Sequence, residues 1–139
     1  MLPTLGLSLM LVNLVLCKEQ GTAVRGQLTC RGSTTPNVEV KLFDLDTLDA
    51  DDLMAESYTG PTGVFYLNGT TFEVTSIEPE LRIYHNCNNN GKPCKRKIRR
   101  RVPDQFIYSA GTAHQVYNLG ALELSGTFEN EGTACENEI

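Results

Sequence analysis

Residues 92–101, K-P-C-K-R-K-I-R-R-R, gather seven cations (Lys92, Lys95, Arg96, Lys97, Arg99, Arg100 and Arg101) with no acid between them. The chain holds 12 Lys and Arg against 17 Asp and Glu, a net charge of -5, so removing this +7 leaves -12 on the rest. A basic segment on an acidic protein suits an anionic partner, whereas the overall acidity speaks against general nucleic-acid binding. On a strand, Lys95, Lys97, Arg99 and Arg101 share one face at intervals of about 6.6 to 6.8 Å, because side chains alternate with a rise of about 3.3 to 3.4 Å. With Arg100 beside them they form the candidate anion-binding set. Each such cation contributes about 1 kcal/mol near an anionic bilayer, and Arg grips phosphate with paired donors. An anionic phospholipid fits this row, and a sulfated glycan offers the same charge. The opposite face, Arg96, Ile98, Arg100 and Val102, mixes apolar residues with charges that are costly to bury, which predicts an edge strand. Exposed edges carry charges to prevent sheet-to-sheet aggregation, so edge protection is the competing explanation of the row. R-K-I-R and R-R-R also resemble processing sites, but a strand tethered by Cys94 is a poor substrate beside a flexible tip.

Other reactive groups are sparse. His85 and His114 are the groups whose ordinary pKa lies near neutrality, and neither G-x-S-x-G nor H-E-x-x-H occurs. The expectation is therefore a protein that is not an enzyme and needs no cofactor. Asp44, Asp46, Asp49, Asp51, Asp52 and Glu56 offer oxygen ligands, but they lack the Gly and terminal Glu of an EF-hand and read as a solvated acidic loop. C-x6-C and two isolated histidines lack zinc spacing, so no metal is expected.

Residues 5–16 form an apolar run too short to span about 30 Å of hydrocarbon as a helix, and the polar Lys18-Glu19-Gln20 follows. The pattern predicts a signal peptide over residues 1–17, a secreted, extracellular protein and no transmembrane segment. Four cysteines then remain, Cys30, Cys87, Cys94 and Cys135, and allow three connectivities that sequence cannot choose between. Cys87 and Cys94 bracket the turn-forming N-N-N-G-K-P, which favours Cys87-Cys94 and, with it, Cys30-Cys135. The latter would close a long loop and contribute on the order of 4 kcal/mol. Secretion also gives meaning to the sequon Asn68-Gly69-Thr70, which predicts glycosylation of Asn68; the alternative is a plain N-G turn between strands.

The elements that must hold these groups are strands, because period-two segments separated by Gly, Pro and Asn clusters dominate and no long helical periodicity appears. Expected strands run over 24–30, 38–44, 53–59, 64–67, 81–85, 95–102 and 116–125. In the second, Val38, Val40 and Leu42 face the core while Glu39 and Lys41 face water. Pro103 stops the basic strand, and 128–139 reads as a solvated tail pinned by Cys135. Seven or eight short antiparallel strands imply an all-β, two-sheet sandwich over residues 24–135.

In order along the chain, V-R-G-Q-L-T-C, V-K-L-F-D-L-D-T-L-D-A-D-D-L-M-A-E, G-V-F-Y-L-N-G, I-E-P-E-L-R-I-Y-H-N-C and V-P-D-Q-F-I resemble the nematode transthyretin-like family. The resemblance covers nearly the whole mature chain, including four cysteines. It implies a secreted prealbumin-like (immunoglobulin-like) β-sandwich. It further implies a candidate role, known for one branch, of bridging phosphatidylserine on dying cells to a phagocyte's cell-surface receptor. The broader superfamily includes thyroid-hormone carriers, which makes an extracellular carrier of a small lipophilic ligand the alternative. It also includes 5-hydroxyisourate hydrolases, but their C-terminal Y-R-G-S is replaced here by C-E-N-E-I, so no catalytic residue carries over.

Overall fold

Apolar residues recur at every second position in each long segment, and the chain answers with strands. The computed structural model describes residues 17–135; the expected signal peptide, apart from Cys17, and residues 136–139 lie outside the described residues. Ten strands follow in order: β1 (Lys18–Cys30), β2 (Ser33–Thr34), β3 (Glu39–Asp44), β4 (Asp52–Tyr58), β5 (Val64–Glu73), β6 (Pro79–His85), β7 (Lys95–Arg101), β8 (Tyr108–Ser109), β9 (Val116–Glu123) and β10 (Gly132–Ala134). A 3-10 turn, Asp104–Phe106, follows Pro103. No helix among the described residues is long and apolar enough to cross a membrane.

The strands form two sheets. In the first, β1 lies between β5 on one side and β8 and β9 on the other, with β2 on its C-terminal end. The second has the order β10-β7-β6-β3-β4. Val24 and Leu28 from β1, and Phe65 and Leu67 from β5, meet Val40, Leu42, Leu81, Ile83 and Ile98 from the second sheet in one core. Val40 and Leu42 point inward as the alternation predicts, but Lys41, between them on the outer face, is covered rather than open to water, being 8 % exposed beside Glu39 and Tyr84. Two buried polar groups of β1 are satisfied: Thr22 donates its hydroxyl to Phe106 O at 2.8 Å, and Gln20 donates to Thr75 O at 2.8 Å.

The all-β sandwich matches the expectation, with four differences. Strand β1 starts at Lys18 rather than Val24, because residues 18–23 pair with β5 through Glu73. The β1–β9 pairing is parallel, so the sheets are not wholly antiparallel. Residues 132–134 are not solvated tail but β10, paired antiparallel with β7 from Gly132↔Lys97 to Ala134↔Lys95. The basic strand is therefore not an edge strand: β6 flanks it on one side and β10 covers Lys95–Lys97 on the other.

The disulfides also differ. They join Cys30 to Cys87 and Cys94 to Cys135, not Cys87 to Cys94 and Cys30 to Cys135. The cause is register. The last β6–β7 pair is His85↔Arg96, after which the loop curls through Asn88, Asn90 and Gly91, all at positive φ. Cys87 keeps the parity of inward-facing His85 and is buried at the end of the core, where Cys30 ends β1. Cys94 and Cys135 instead continue the β7–β10 ladder, one step beyond Lys95↔Ala134, with Cα atoms 4.2 Å apart. One bridge thus joins the two sheets and the other closes the edge of the second. Their sequence separations of 57 and 41 correspond to about 4 kcal/mol each in the chain-entropy account.

Asn68 and Gly69 do not form a turn; they lie inside β5. Glycine is required at 69 because a Cβ there would sit 2.7 Å from Cβ of Met54, where β4 and β5 cross closely.

Candidate anion-binding surface

Ile98 and Val102 are buried in the core, so the alternation of β7 turns Lys95, Lys97, Arg99 and Arg101 onto the outer face of the second sheet. Their neighbours across β6 follow from the ladder: Glu80 lies opposite Arg101, Arg82 opposite Arg99, and Tyr84 opposite Lys97. Further across, Phe43 and Lys41 stand beside Glu80 and Arg82. These pairs decide which cations remain available.

Arg99 is committed within the protein. It donates Nε to Glu80 Oε1 at 2.8 Å and a terminal nitrogen to Glu80 Oε2 at 3.2 Å. The same carboxylate accepts from Arg82 Nε at 2.9 Å, and Arg82 reaches on to Asp51 Oδ2 at 2.5 Å. Arg82 also lies 4.1 Å from the centroid of the Phe43 ring. Burial alone would raise the Glu80 carboxyl, but the hydrogen bonds from Arg99 and Arg82 outweigh it and hold the pKa below the usual range. A carboxylate 4 % exposed is tolerated here because two guanidinium groups satisfy it.

Arg101 is exposed and approaches Asp104 at 4.0 Å, a loose pair. Lys95 and Lys97 are half-buried and form no salt bridge among the described residues. Arg100 does not join the row; it lies on the inner side near the sandwich margin, 5.7 Å from the Phe128 ring centroid. Arg96 serves as an internal clamp. Its guanidinium donates to Cys87 O at 2.9 Å, Leu124 O at 3.1 Å, Gly126 O at 2.5 Å and Glu131 Oε1 at 2.5 Å. The structure thus brings Lys95, Lys97, Arg99 and Arg101 together, separates Arg100 from them, and gives the two lysines no acidic partner among the described residues.

The acidic stretch is divided as well. Asp51 serves Arg82, and Glu56 stands 3.9 Å from Lys41. Carboxylate oxygens of Asp44, Asp52 and Glu73 lie within 4.8 Å of one another. Partial burial, then the charge of Asp44, pushes the Glu73 carboxyl upward. Sequence reasoning passed over Glu80 and Arg82, and read Asp51 as part of a solvated loop rather than as the partner of Arg82. The signal was present in E-L-R, where residues two apart share a strand face, but their partner Arg99 could be found only from register.

His85 and His114 stand apart, one ending β6 in the second sheet, the other exposed in the loop before β9 and stacked on Tyr108 with ring centroids 4.0 Å apart. Nδ1 of His85 accepts the Cys87 N–H at 3.0 Å, which places the proton on Nε2. That Nε2 is buried without a partner among the described residues. Burial, then the charge of Arg96, lowers its pKa to about 4 and keeps the ring neutral. His85 lines a cavity of about 320 Å³ at the end of the sandwich, with Val38, Tyr84, Lys95, Leu124 and the Cys30–Cys87 bridge.

Two facing sheets with a disulfide between them and a second closing one sheet edge define a prealbumin-like β-sandwich. Comparison with known proteins agrees. The model of the transthyretin-like family matches residues 25–103. Transthyretin-like protein 5 of Caenorhabditis elegans is 44% identical over 117 residues, covering 84% of each chain. Transthyretin-like protein 33 from the same worm is 39% identical over 117 residues, covering 84% of this chain and 82% of its own. Transthyretin-like protein 2 is 36% identical over 126 residues, covering 86% and 85%. The chain belongs to the transthyretin-like family. Among solved structures, a 9R-lipoxygenase from Cyanothece aligns at 20% identity with a TM-score of 0.45, over 76% of this chain and 16% of its own, too distant to bear on function.

Proposed function

We propose that this protein acts outside the cell as a binding protein, presenting the outer face of β7 to an anionic partner, in the first place a phosphatidylserine-bearing membrane. The observation that carries this reading is the alternation of β7: Ile98 and Val102 anchor it in the core and aim Lys95, Lys97, Arg99 and Arg101 outward. Edge protection loses much of its force as an explanation, since β10 already covers the strand beside the two unpaired lysines. A surface held by a rigid, doubly bridged sandwich suits a bridging molecule, with a cell-surface receptor engaging another face.

The test is co-sedimentation of the purified protein with vesicles of phosphatidylcholine alone or with phosphatidylserine, at low and physiological salt, with heparin as competitor. Binding confined to phosphatidylserine vesicles at both salts supports the reading. Binding erased by heparin points to a sulfated glycan, and binding to neither vesicle overturns it.

One observation favours a second reading, an extracellular carrier of a small lipophilic ligand. The cavity beside His85 has the size of the smaller ligand pockets and a mixed lining in which Val38, Leu124 and the Cys30–Cys87 bridge stand beside Thr34, Thr35 and Asn37. Salt-insensitive, saturable uptake of a fatty acid or retinoid, lost on replacing Val38 by Trp, supports the carrier over the membrane reading.

A further inference from the structure

We propose that Asn68 carries an N-linked glycan whose first sugar packs on the ring of Tyr66, covering the outer face of the sheet opposite the basic strand. The argument starts from β5. Its alternate residues Val64, Tyr66, Asn68, Thr70 and Phe72 point outward and are exposed, with Tyr66 51% and Phe72 64% accessible. Aromatic groups left this open on a sheet face call for cover. In a sequon placed on a strand, the residues two before and two after the Asn share its face. Tyr66 and Thr70 therefore flank Asn68 at about 6.6 to 6.8 Å.

The amide is also held. Tyr108 donates its hydroxyl to Asn68 Oδ1 at 2.6 Å, which leaves Nδ2 as the open end of the side chain. Tyr108 reaches Asn68 by crossing β1 at Gly21, the residue paired with Thr70 on one side and Tyr108 on the other. A Cβ at Gly21 would lie 2.8 Å from Cζ of Tyr108 and 2.8 Å from Cγ2 of Thr70, so only glycine permits the crossing. His114 stacks behind Tyr108. The result is an amide nitrogen presented between aromatic rings, on a strand that among the described residues pairs with β1 alone and so lies at a sheet edge. The apolar C–H face of a pyranose stacks on such a ring, while its hydroxyls keep the surface hydrated.

The covalent step draws on a lipid-diphosphate-linked oligosaccharide met in the secretory pathway. Nδ2 forms a bond to the anomeric carbon as the bond from that carbon to the diphosphate oxygen breaks. Nδ2 gives up one proton, and the lipid diphosphate leaves.

The experiment uses the full chain secreted from eukaryotic cells, with intact mass measured before and after peptide-N-glycosidase. One glycan should be lost with conversion of Asn68 to Asp, and neither Asn68→Gln nor Thr70→Val should carry it. A secreted wild-type chain at its unmodified mass overturns the proposal. Melting midpoints of treated and untreated protein then test the packing. Deglycosylation should lower the midpoint of the wild type and lower it clearly less in Tyr66→Thr, whereas equal drops overturn the contact with Tyr66. Neither readout depends on the basic strand, so this proposal and the membrane reading fail separately.

Discussion

Replacing Lys95 and Lys97 together by Ser removes the two cations of the outer row of β7 that no acid of the described residues neutralises. At about 1 kcal/mol for each basic residue near an anionic surface, the loss is about 2 kcal/mol, or a roughly 30-fold weaker partition onto phosphatidylserine vesicles. Arg99→Ser supplies the contrast. Its guanidinium is turned sideways onto Glu80, with Nε and one terminal nitrogen engaged, so it cannot also offer that fork to a lipid phosphate. Its long-range charge is shortened by a Debye length of about 8 Å at physiological salt, so Arg99→Ser should weaken binding by less than about 5-fold. The assay is vesicle co-sedimentation over a lipid titration at physiological salt, with melting midpoints measured alongside to confirm that both variants are folded. If Arg99→Ser costs as much as the double lysine variant, or if the double variant binds like wild type, the division of β7 into free and committed cations is wrong.

Three further outcomes follow from the same contacts. His85 has a folded pKa of about 4 against an unfolded value near 6.5, so the unfolded chain binds the extra proton. Stability from this group is complete above pH 6.5 and declines by about 3 kcal/mol as pH falls to 4, a slope that urea denaturation should find removed in His85→Gln. Glu123, fully exposed, has its pKa lowered to about 2, chiefly by the backbone N–H of Gly32 and then that of Ser125; its contribution is full above the ordinary carboxyl range and lost as pH falls toward 2. Glu123→Gln should flatten the acid limb of thermal stability in that window. Arg96→Ala removes four charge-assisted bonds and leaves Glu131 unpaired, so urea denaturation should show a loss of about 3 kcal/mol or more, with Arg96→Lys restoring only part of it.

The inward alternation of Val40 and Leu42, of Leu81 and Ile83, and of Ile98 made the strands and the two-sheet class legible from sequence alone. What stayed hidden were relations between distant segments. The G-T-A of β10 has no side-chain pattern, and its strand exists because β7 offers it a ladder. Cys87 and Cys94 looked like partners across a hairpin because seven residues is a short span. The curl of the N-N-N-G loop sends one to Cys30 in the first sheet and the other to the chain end. For the candidate surface, the outward row was readable from period two. Commitment of Arg99 to Glu80, and of Arg96 to Cys87, Leu124, Gly126 and Glu131, depends on residues 9 to 35 positions away.

The Cys94–Cys135 bridge gives β10 a role out of proportion to its three residues. A ladder that short leans on its tethers, the Arg96–Glu131 pair just before it and the bridge just after it, and the second depends on the redox state around it. In a thiol-rich compartment the last strand would peel away and β7 would stand with open backbone donors and acceptors beside its lysines, ready to pair with a neighbour's strand. The protein is in this sense finished by oxidation: the bridge that fixes β10 beside Lys95 closes a strand edge and leaves the outer row of β7 to act through its charge.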